Sequence, residues 1–227
     1  MPIHILTSKI EFPDPTSATE DGLLAVGGDL TPERLIEAYS KGVFPWYSDG
    51  QPILWFSPDP RMVLYPGNFK CSTSLQRDIQ SNRFEVRIDT AFTEVIRSCA
   101  SAPRPGQEGT WITSDMIDAY IEMHHLGYAH SFETFHKEKL VGGLYGLSLG
   151  AAFFGESMFH IESNASKIAF YQLVTFAKKH GFDFIDAQTP SSHLQSLGAT
   201  SVPRNRFLKE LQSTLKFETL KGNWSTI

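Results

Sequence analysis

KLVGGLYGLSLGAAFFGESMF, residues 139–159, contains G-x-S-x-G at 146–150. Two local folds compete for it. In a nucleophile elbow the serine sits on a sharp turn between a strand and a helix. That reading would draw Ser148, Asp186 and His193 into a hydrolase triad, in the right chain order. The residues after Gly150 do not read as a helix. AAFFGESMF has a glycine inside it and no capping residue before it. The stretch is therefore predicted to be two strands folded back at Gly150. Ser148 becomes a hairpin residue, and the glycines serve a crowded sheet.

The elements on either side extend this sheet. AHSFETF, residues 129–135, reads as a third strand. Before it lies TSDMIDAYIEMHHLG, a helix capped by Thr113 or Ser114 and stopped by Gly127, with Ile117, Tyr120, Ile121 and His124 as its apolar stripe. After the hairpin, Asn164 or Ser163 caps a long helix that runs to His180 and is closed by Gly181. FDFIDAQ is the next strand, followed by short helices near 191–197 and 204–216. Upstream, helices at 73–82 and 91–100 flank the strand FEVRI at 84–88. TPERLIEAYSKG forms a helix with Thr31 as N-cap, Pro32 in its first position and Gly42 past its end. Prolines at 45, 52, 58, 60 and 66 cut the next stretch into short extended pieces. A domain boundary is placed there, giving a small N-terminal domain at 1–62 and a larger one at 63–227. The fold class is α+β, with a mixed sheet flanked by helices.

Composition is that of an ordinary globular protein, with 227 residues, 41% hydrophobic and 20% charged. The net charge of −5 does not favour nucleic acid. The distribution is uneven, however: 61–104 and 163–227 are mildly basic, while 1–60 and 105–162 are acidic. Those acidic stretches could receive a cationic substrate. Cys71 and Cys99 lack metal or redox spacing, and the eight histidines form no ligand pattern. His124 reads as a core histidine. No metal and no cofactor is expected. MPIHILTSKIEFPDP does not resemble a signal peptide, and the uncharged run Leu140–Gly155 is short and glycine-rich for a membrane span. A soluble, cytoplasmic protein is expected, with no membrane partner and a monomer favoured.

Several polar residues stand where a core should be. FDFIDAQTP, residues 182–190, reads as a burying strand, yet it carries Asp186 and Gln188. In plain alternation those two share a face. Glu156 interrupts another apolar strand. A buried carboxylate is costly unless paired, and several on neighbouring strands mark a site. Trp46 and Trp111 lie in loops flanked by proline and glycine. They are either packed anchors or stacking platforms for a base.

At this point the residues resemble a family. GLLAVGGDL (22–30), FPWYSDGQPILWFSPDPR (44–61), GTWIT (109–113), LVGGLYG (140–146), FFGESMF (153–159), NASK (164–167) and FIDAQ (184–188) run in order through nearly the whole chain. Together they look like leucyl/phenylalanyl-tRNA–protein transferase. The resemblance implies a small N-terminal domain followed by one similar to acetyl-CoA-dependent N-acetyltransferases. It implies transfer of Leu or Phe, and less efficiently Met, from its tRNA to the α-amine of a protein beginning with Arg or Lys. The product is a signal for degradation by the N-end rule. It assigns catalysis to Asp186 and Gln188, with Glu156 ordering the site. Asp186 would hold the ammonium and relay its proton. Trp46 and Trp111 would clasp the terminal adenosine, and Phe153, Met158, Phe170 and Leu173 would line the pocket for the transferred side chain. The resemblance departs in one place: STSLQRDIQSNR carries only Arg77 and Arg83, with Lys70 nearby, where the family has a dense basic helix.

Three other readings remain beside it. An acetyl-CoA acyltransferase would need a glycine-rich pyrophosphate loop before the 164–180 helix, and HIESNASK is a poor one. The hydrolase needs Ser148 as nucleophile. A non-catalytic RNA-binding module would use the tryptophans but leave Glu156, Asp186 and Gln188 without purpose.

Overall fold

The computed structural model of the chain describes residues 3–103 and 110–227. Gly109, which opens the GTWIT string, lies outside them. Two sheets organise the described residues. The first has the order β1-β2-β4-β3, from His4–Leu6 (β1), Leu23–Gly27 (β2), Phe44–Pro45 (β3) and Leu54–Phe56 (β4). Helix α1, Pro32–Ser40, lies between β2 and β3 in the chain. Thr31 holds the N-cap position of α1 without a side-chain cap bond, because its hydroxyl donates to Asp29 instead.

The second sheet has seven strands. They are Arg61–Leu64 (β5), Glu85–Ile88 (β6), Ala129–His136 (β7), Lys139–Leu149 (β8), Ala152–His160 (β9), Phe184–Gln188 (β10) and Thr200–Val202 (β11). Their order is β11-β5-β10-β9-β8-β7-β6. Only β9 and β10 run parallel, and the other neighbours are antiparallel, so the sheet is mixed. Its helices are α2 (Thr73–Gln80), α3 (Phe92–Ser101), α4 (Ser114–His125), α5 (Ala165–Lys179), α6 (Ser192–Ser196) and α7 (Arg204–Thr214).

The stretch 139–159 is the hairpin expected of it. Gly150 turns it with φ +56°, and a Cβ there would lie 2.4 Å from the Thr214 carbonyl oxygen. Gly142 lets α5 approach the sheet, since a Cβ would meet the Ala165 Cβ at 2.6 Å. Ser148 is fully buried in β8 opposite Phe153, and its hydroxyl has no hydrogen-bond partner. Neither Asp186 nor His193 reaches it, so the triad is absent.

Alternation along the strands divides the core into two faces. Leu144, Phe153 and Ile185 point to α5 and pack with Phe170, Leu173 and Trp224. Tyr145, Phe154 and Phe184 point the other way, where they join Tyr39 of α1, Val95 and Ile96 of α3 and Tyr120 of α4. Leu24 and Trp55 of the first sheet belong to this same cluster, so the two sheets share one apolar core.

Local details differ from the sequence reading in three places. The buried face of α4 is Met116, Ala119, Tyr120 and Met123, and Ile117 and Ile121 sit at its half-buried edge. The stripe is thus turned by about one residue, because the deep side of α4 is the one that carries Tyr120 towards the sheet. His124 is half-buried and stacked on Phe92 at 4.3 Å. Asn164 precedes α5 in a left-handed conformation, φ +64°, and does not cap it; its amide donates to Asp78. By contrast, Thr113 accepts from the Met116 amide and caps α4. Among the described residues no helix is long and apolar enough to cross a membrane.

Candidate active site

The parallel pair β9 and β10 is short. It is registered from Phe184 opposite Ala152 to Asp186 opposite Phe154, and then ends. Both strands bulge at that point. On β9 the register steps from Gly146–Gly155 to Tyr145–Ser157, leaving Glu156 as the extra residue. On β10 it steps from Asp186–Val63 to Gln188–Met62, leaving Ala187 as the extra one. A bulge bends a strand and re-aims its side chains. Here two bulges on adjacent strands open the sheet into a cleft of about 330 Å³.

Trp46, Trp111, Phe44 and Tyr145 line the end of the cleft on the α1/α4 side. Leu144, Met158, Phe170, Leu173, Ile185 and Leu194 line the end towards α5. Glu156, Asp186, Gln188 and Thr189 lie between. Trp46 is 38% exposed and rests edge-on against Phe56 at 5.5 Å. It is therefore a held but accessible ring, fit to receive another ring.

Asp186 is fully buried and its charge is matched by Arg61, also fully buried. The pair is bidentate, with Nε to Oδ1 at 2.9 Å and Nη2 to Oδ2 at 2.6 Å. Arg61 also donates to the Gly42 carbonyl at 3.0 Å and lies over the rings of Phe44 and Phe207. Two carbonyl or carboxylate groups and two ring faces thus hold a guanidinium away from water. The expectation that Asp186 holds an ammonium directly needs correction. Its carboxylate already has Arg61 on both oxygens, and Oδ1 also accepts the Gln188 amide N–H at 2.9 Å. A carboxylate so deep needs a permanent cation.

That amide bond fixes Gln188, which adopts φ +62°. The simple alternation that put Asp186 and Gln188 on one face is broken by the bulge at Ala187. The Gln188 side chain still reaches the cleft because its Nε2 donates to Glu156 Oε1 at 2.8 Å. The Gln188 Oε1 atom accepts no bond among the described residues, which leaves an acceptor in the cleft.

Glu156 is buried beneath two phenols. Tyr39 donates to Oε1 at 2.6 Å and Tyr120 to Oε2 at 3.1 Å. The two phenol oxygens also touch one another. Burial pushes the Glu156 carboxyl up to about 7, against the hydrogen bonds from Tyr39, Tyr120 and Gln188, and the Asp186 charge adds to the rise. Burial likewise raises Tyr39 and Tyr120, so both stay protonated donors.

Of the nine residues singled out by sequence, eight line this cleft: Asp186, Gln188, Glu156, Trp46, Trp111, Met158, Phe170 and Leu173. Phe153 does not. It is fully buried below the cleft, against Phe132 and Trp224, because it precedes the bulge and alternation sends it under α5. Sequence reading missed Arg61, Tyr39 and Tyr120, which come from distant segments. The signal for Arg61 was present: a buried carboxylate demands a cation, and Arg61 opens the apolar run RMVL.

Comparison with known proteins agrees with the order of these segments. A family model described as leucyl/phenylalanyl-tRNA protein transferase matches residues 63–212. A second, for the N-terminal domain of the same transferase, matches 28–59. A protein of that name from Desulfatibacillum aliphaticivorans is 54% identical over 225 residues, 99% of this chain and 97% of the relative. One from Legionella pneumophila (strain Corby) is 52% identical over 218 residues, 96% of this chain and 97% of the relative. Among solved structures, L-PGS from Bacillus licheniformis aligns with TM-score 0.43 and 11% identity, over 75% of this chain and 54% of that one. A GCN5-related N-acetyltransferase-like protein from Streptococcus suis aligns with TM-score 0.36 and 16% identity, over 73% and 61%. Two family models in tandem and relatives matched end to end leave one assignment: the chain belongs to the leucyl/phenylalanyl-tRNA–protein transferase family, whose members are aminoacyltransferases.

Proposed function

We propose that the cleft moves Leu or Phe, and less efficiently Met, from aminoacyl-tRNA to the α-amine of proteins that begin with Arg or Lys, marking them for degradation by the N-end rule in the cytoplasm. The observation that carries this reading is the fixed Gln188 acceptor between an aromatic end and an apolar end of one cleft. The terminal adenosine stacks between Trp46 and Trp111. The aminoacyl side chain enters the apolar end, where Met158, Phe170, Leu173 and Ile185 suit a large group unbranched at Cβ. The ester carbonyl then lies beside Gln188. Asp49 and Asp115 act on Tyr47, the chain neighbour of Trp46, and this acidic charge favours a cationic first residue.

The reaction needs a neutral amine. An α-ammonium loses its proton near pH 7.7–8, so a usable fraction is neutral at pH 7. Its remaining N–H groups donate to Gln188 Oε1, which aims the lone pair at the carbonyl carbon. The C–N bond forms, the C–O bond to the ribose breaks, and the ribose oxygen leaves with the proton that the amine sheds. Gln188 orients the amine, and an amide oxygen is too weak a base to keep its proton. Glu156 holds Gln188 by its Nε2, and Tyr39 and Tyr120 hold Glu156. The Arg61–Asp186 pair anchors the Gln188 backbone. Catalysis rests on positioning of an ester that is already activated.

The test is transfer from labelled Phe-tRNA or Leu-tRNA to a peptide starting with Arg. Label should appear in that peptide, and none in its Nα-acetylated form. A purified, folded protein that labels neither Arg- nor Lys-initiated peptides would overturn the reading.

A further inference from the structure

The apolar end of the cleft is bordered by three basic side chains to which the transfer reaction gives no task. His160 lies two residues beyond Met158 on β9, which puts both on one face of the strand. Lys167 lies three residues before Phe170 on α5, on the same side of that helix. His193 sits on α6 next to Leu194. Met158, Phe170 and Leu194 all line the cleft, so the three basic residues belong to the elements that form one rim of it. The group comes together at His193: burial lowers its imidazole, and Lys167 and then His160 lower it further. None of them forms an ion pair among the described residues, where the nearby Glu162 is held by Arg83 and His136. Lys70 borders the group, since its backbone N–H donates to Leu197 at the end of α6 and its side chain is exposed. The Lys167 ammonium has no acid beside it, so it attracts an anion from solution, and the imidazole N–H groups offer that anion further donors.

We propose that Lys167, His160 and His193 form a phosphodiester subsite, which holds the unpaired strand leading to the terminal adenosine of the aminoacyl-tRNA. The proposal rests on the aminoacyl transfer reaction and adds a contact that reads the donor's backbone beyond its last nucleoside. It also answers the thin basic content of α2, where Arg77 is the one Lys or Arg in the helix and Arg83, just after it, is committed to Glu162. Phosphate contact falls to the rim of the cleft. Contacts to phosphate position a nucleic acid without reading its sequence, which suits an enzyme that accepts more than one tRNA.

Three donors separate the terms: aminoacyl-tRNA, an aminoacylated CCA trinucleotide and aminoacyl-adenosine without a phosphodiester. Lys167→Ala/His193→Ala should raise KM for the first two roughly tenfold, the effect of about one charge-assisted contact. KM for aminoacyl-adenosine should stay within about twofold, as should kcat for all three. The slope of log binding against log salt for tRNA should fall by about 0.7, for the one cation lost with Lys167. Lys167→Arg should restore most of the loss. Inorganic phosphate should compete weakly with the trinucleotide on the wild type and lose that effect on the double variant. An equal loss with aminoacyl-adenosine would show that the residues merely shape the pocket, and would overturn the proposal. So would unchanged KM and salt slope with aminoacyl-tRNA. If the wild type transfers from no donor at all, the reaction itself is wrong; binding of deacylated tRNA, compared between wild type and variant, still decides the phosphate contact.

Discussion

Replacing Arg61 by methionine tests the physical claim on which the site stands. Methionine fills much of the space of the arginine stem and suits the rings of Phe44 and Phe207. What it cannot do is neutralise Asp186, which is fully buried. Two charge-assisted bonds to Asp186 vanish, and the Gly42 carbonyl loses its donor. Removing one partner of a buried pair costs about 3–5 kcal/mol, mostly as the penalty for the charge left behind. That is a large share of a stability that is typically about 5–15 kcal/mol. Asp186→Asn should also destabilise, since it strands the guanidinium. Arg61→Met/Asp186→Asn should then cost less than the sum of the two by about 2 kcal/mol, because neither charge remains. The assay is urea unfolding followed by tryptophan fluorescence, with the midpoint compared at constant slope. A loss below about 1 kcal/mol for Arg61→Met, or simple additivity in the double variant, would refute the buried pair. Activity adds a second reading. If the pair serves by holding the Gln188 backbone, both single variants lower kcat while KM for aminoacyl-tRNA stays nearly constant.

Three further outcomes are expected. Trp46→Ala or Trp111→Ala should raise KM for aminoacyl-tRNA roughly 5–150-fold, from about 1–3 kcal/mol of stacking, with phenylalanine rescuing most of it; a folded alanine variant with unchanged KM removes the tryptophan from the donor site. Glu156, raised from 4.5 to about 7, binds a proton in the folded state that it releases when unfolded, so its contribution is fully present below pH 4.5 and is lost as pH rises through about 7. Glu156→Gln should therefore flatten the fall of stability between pH 5 and 8 by about 3 kcal/mol relative to wild type; Glu133, raised to about 7, keeps its own fall, and His130, lowered by burial, acts in the opposite direction in both proteins, so a parallel pair of pH curves would reject the assignment. Ser148→Ala should leave transfer within about twofold and stability within about 1 kcal/mol, since it removes a buried hydroxyl that has no partner; loss of activity would revive the hydrolase reading.

The parts of this molecule that could be read from the chain are those decided locally. Gly150 and Gly155 marked a hairpin where a serine motif suggested an elbow, and Thr113 and Gly127 marked the ends of a helix. Burial also showed through, because Glu156 and Asp186 stood out against apolar neighbours. Partners did not show, because Asp186 meets a group 125 residues away and Glu156 one 117 residues away. Along the strands, the facing of side chains failed at one kind of place. Counting in twos along β9 puts Phe153 and Met158 on opposite faces, yet both belong to the α5 side, because Glu156 is inserted between them. The same insertion that defeats the count is what turns Glu156 into the cleft. Irregularity and site therefore share a cause: a strand that alternated perfectly would have stayed closed against its neighbour. The long-range partner is recoverable by a different argument. A carboxylate that no water reaches requires a cation equally buried, and an arginine at the head of an apolar strand is itself as improbable as the aspartate. Each anomaly accounts for the other, so two isolated oddities in the sequence, Arg61 and Asp186, become one predicted contact.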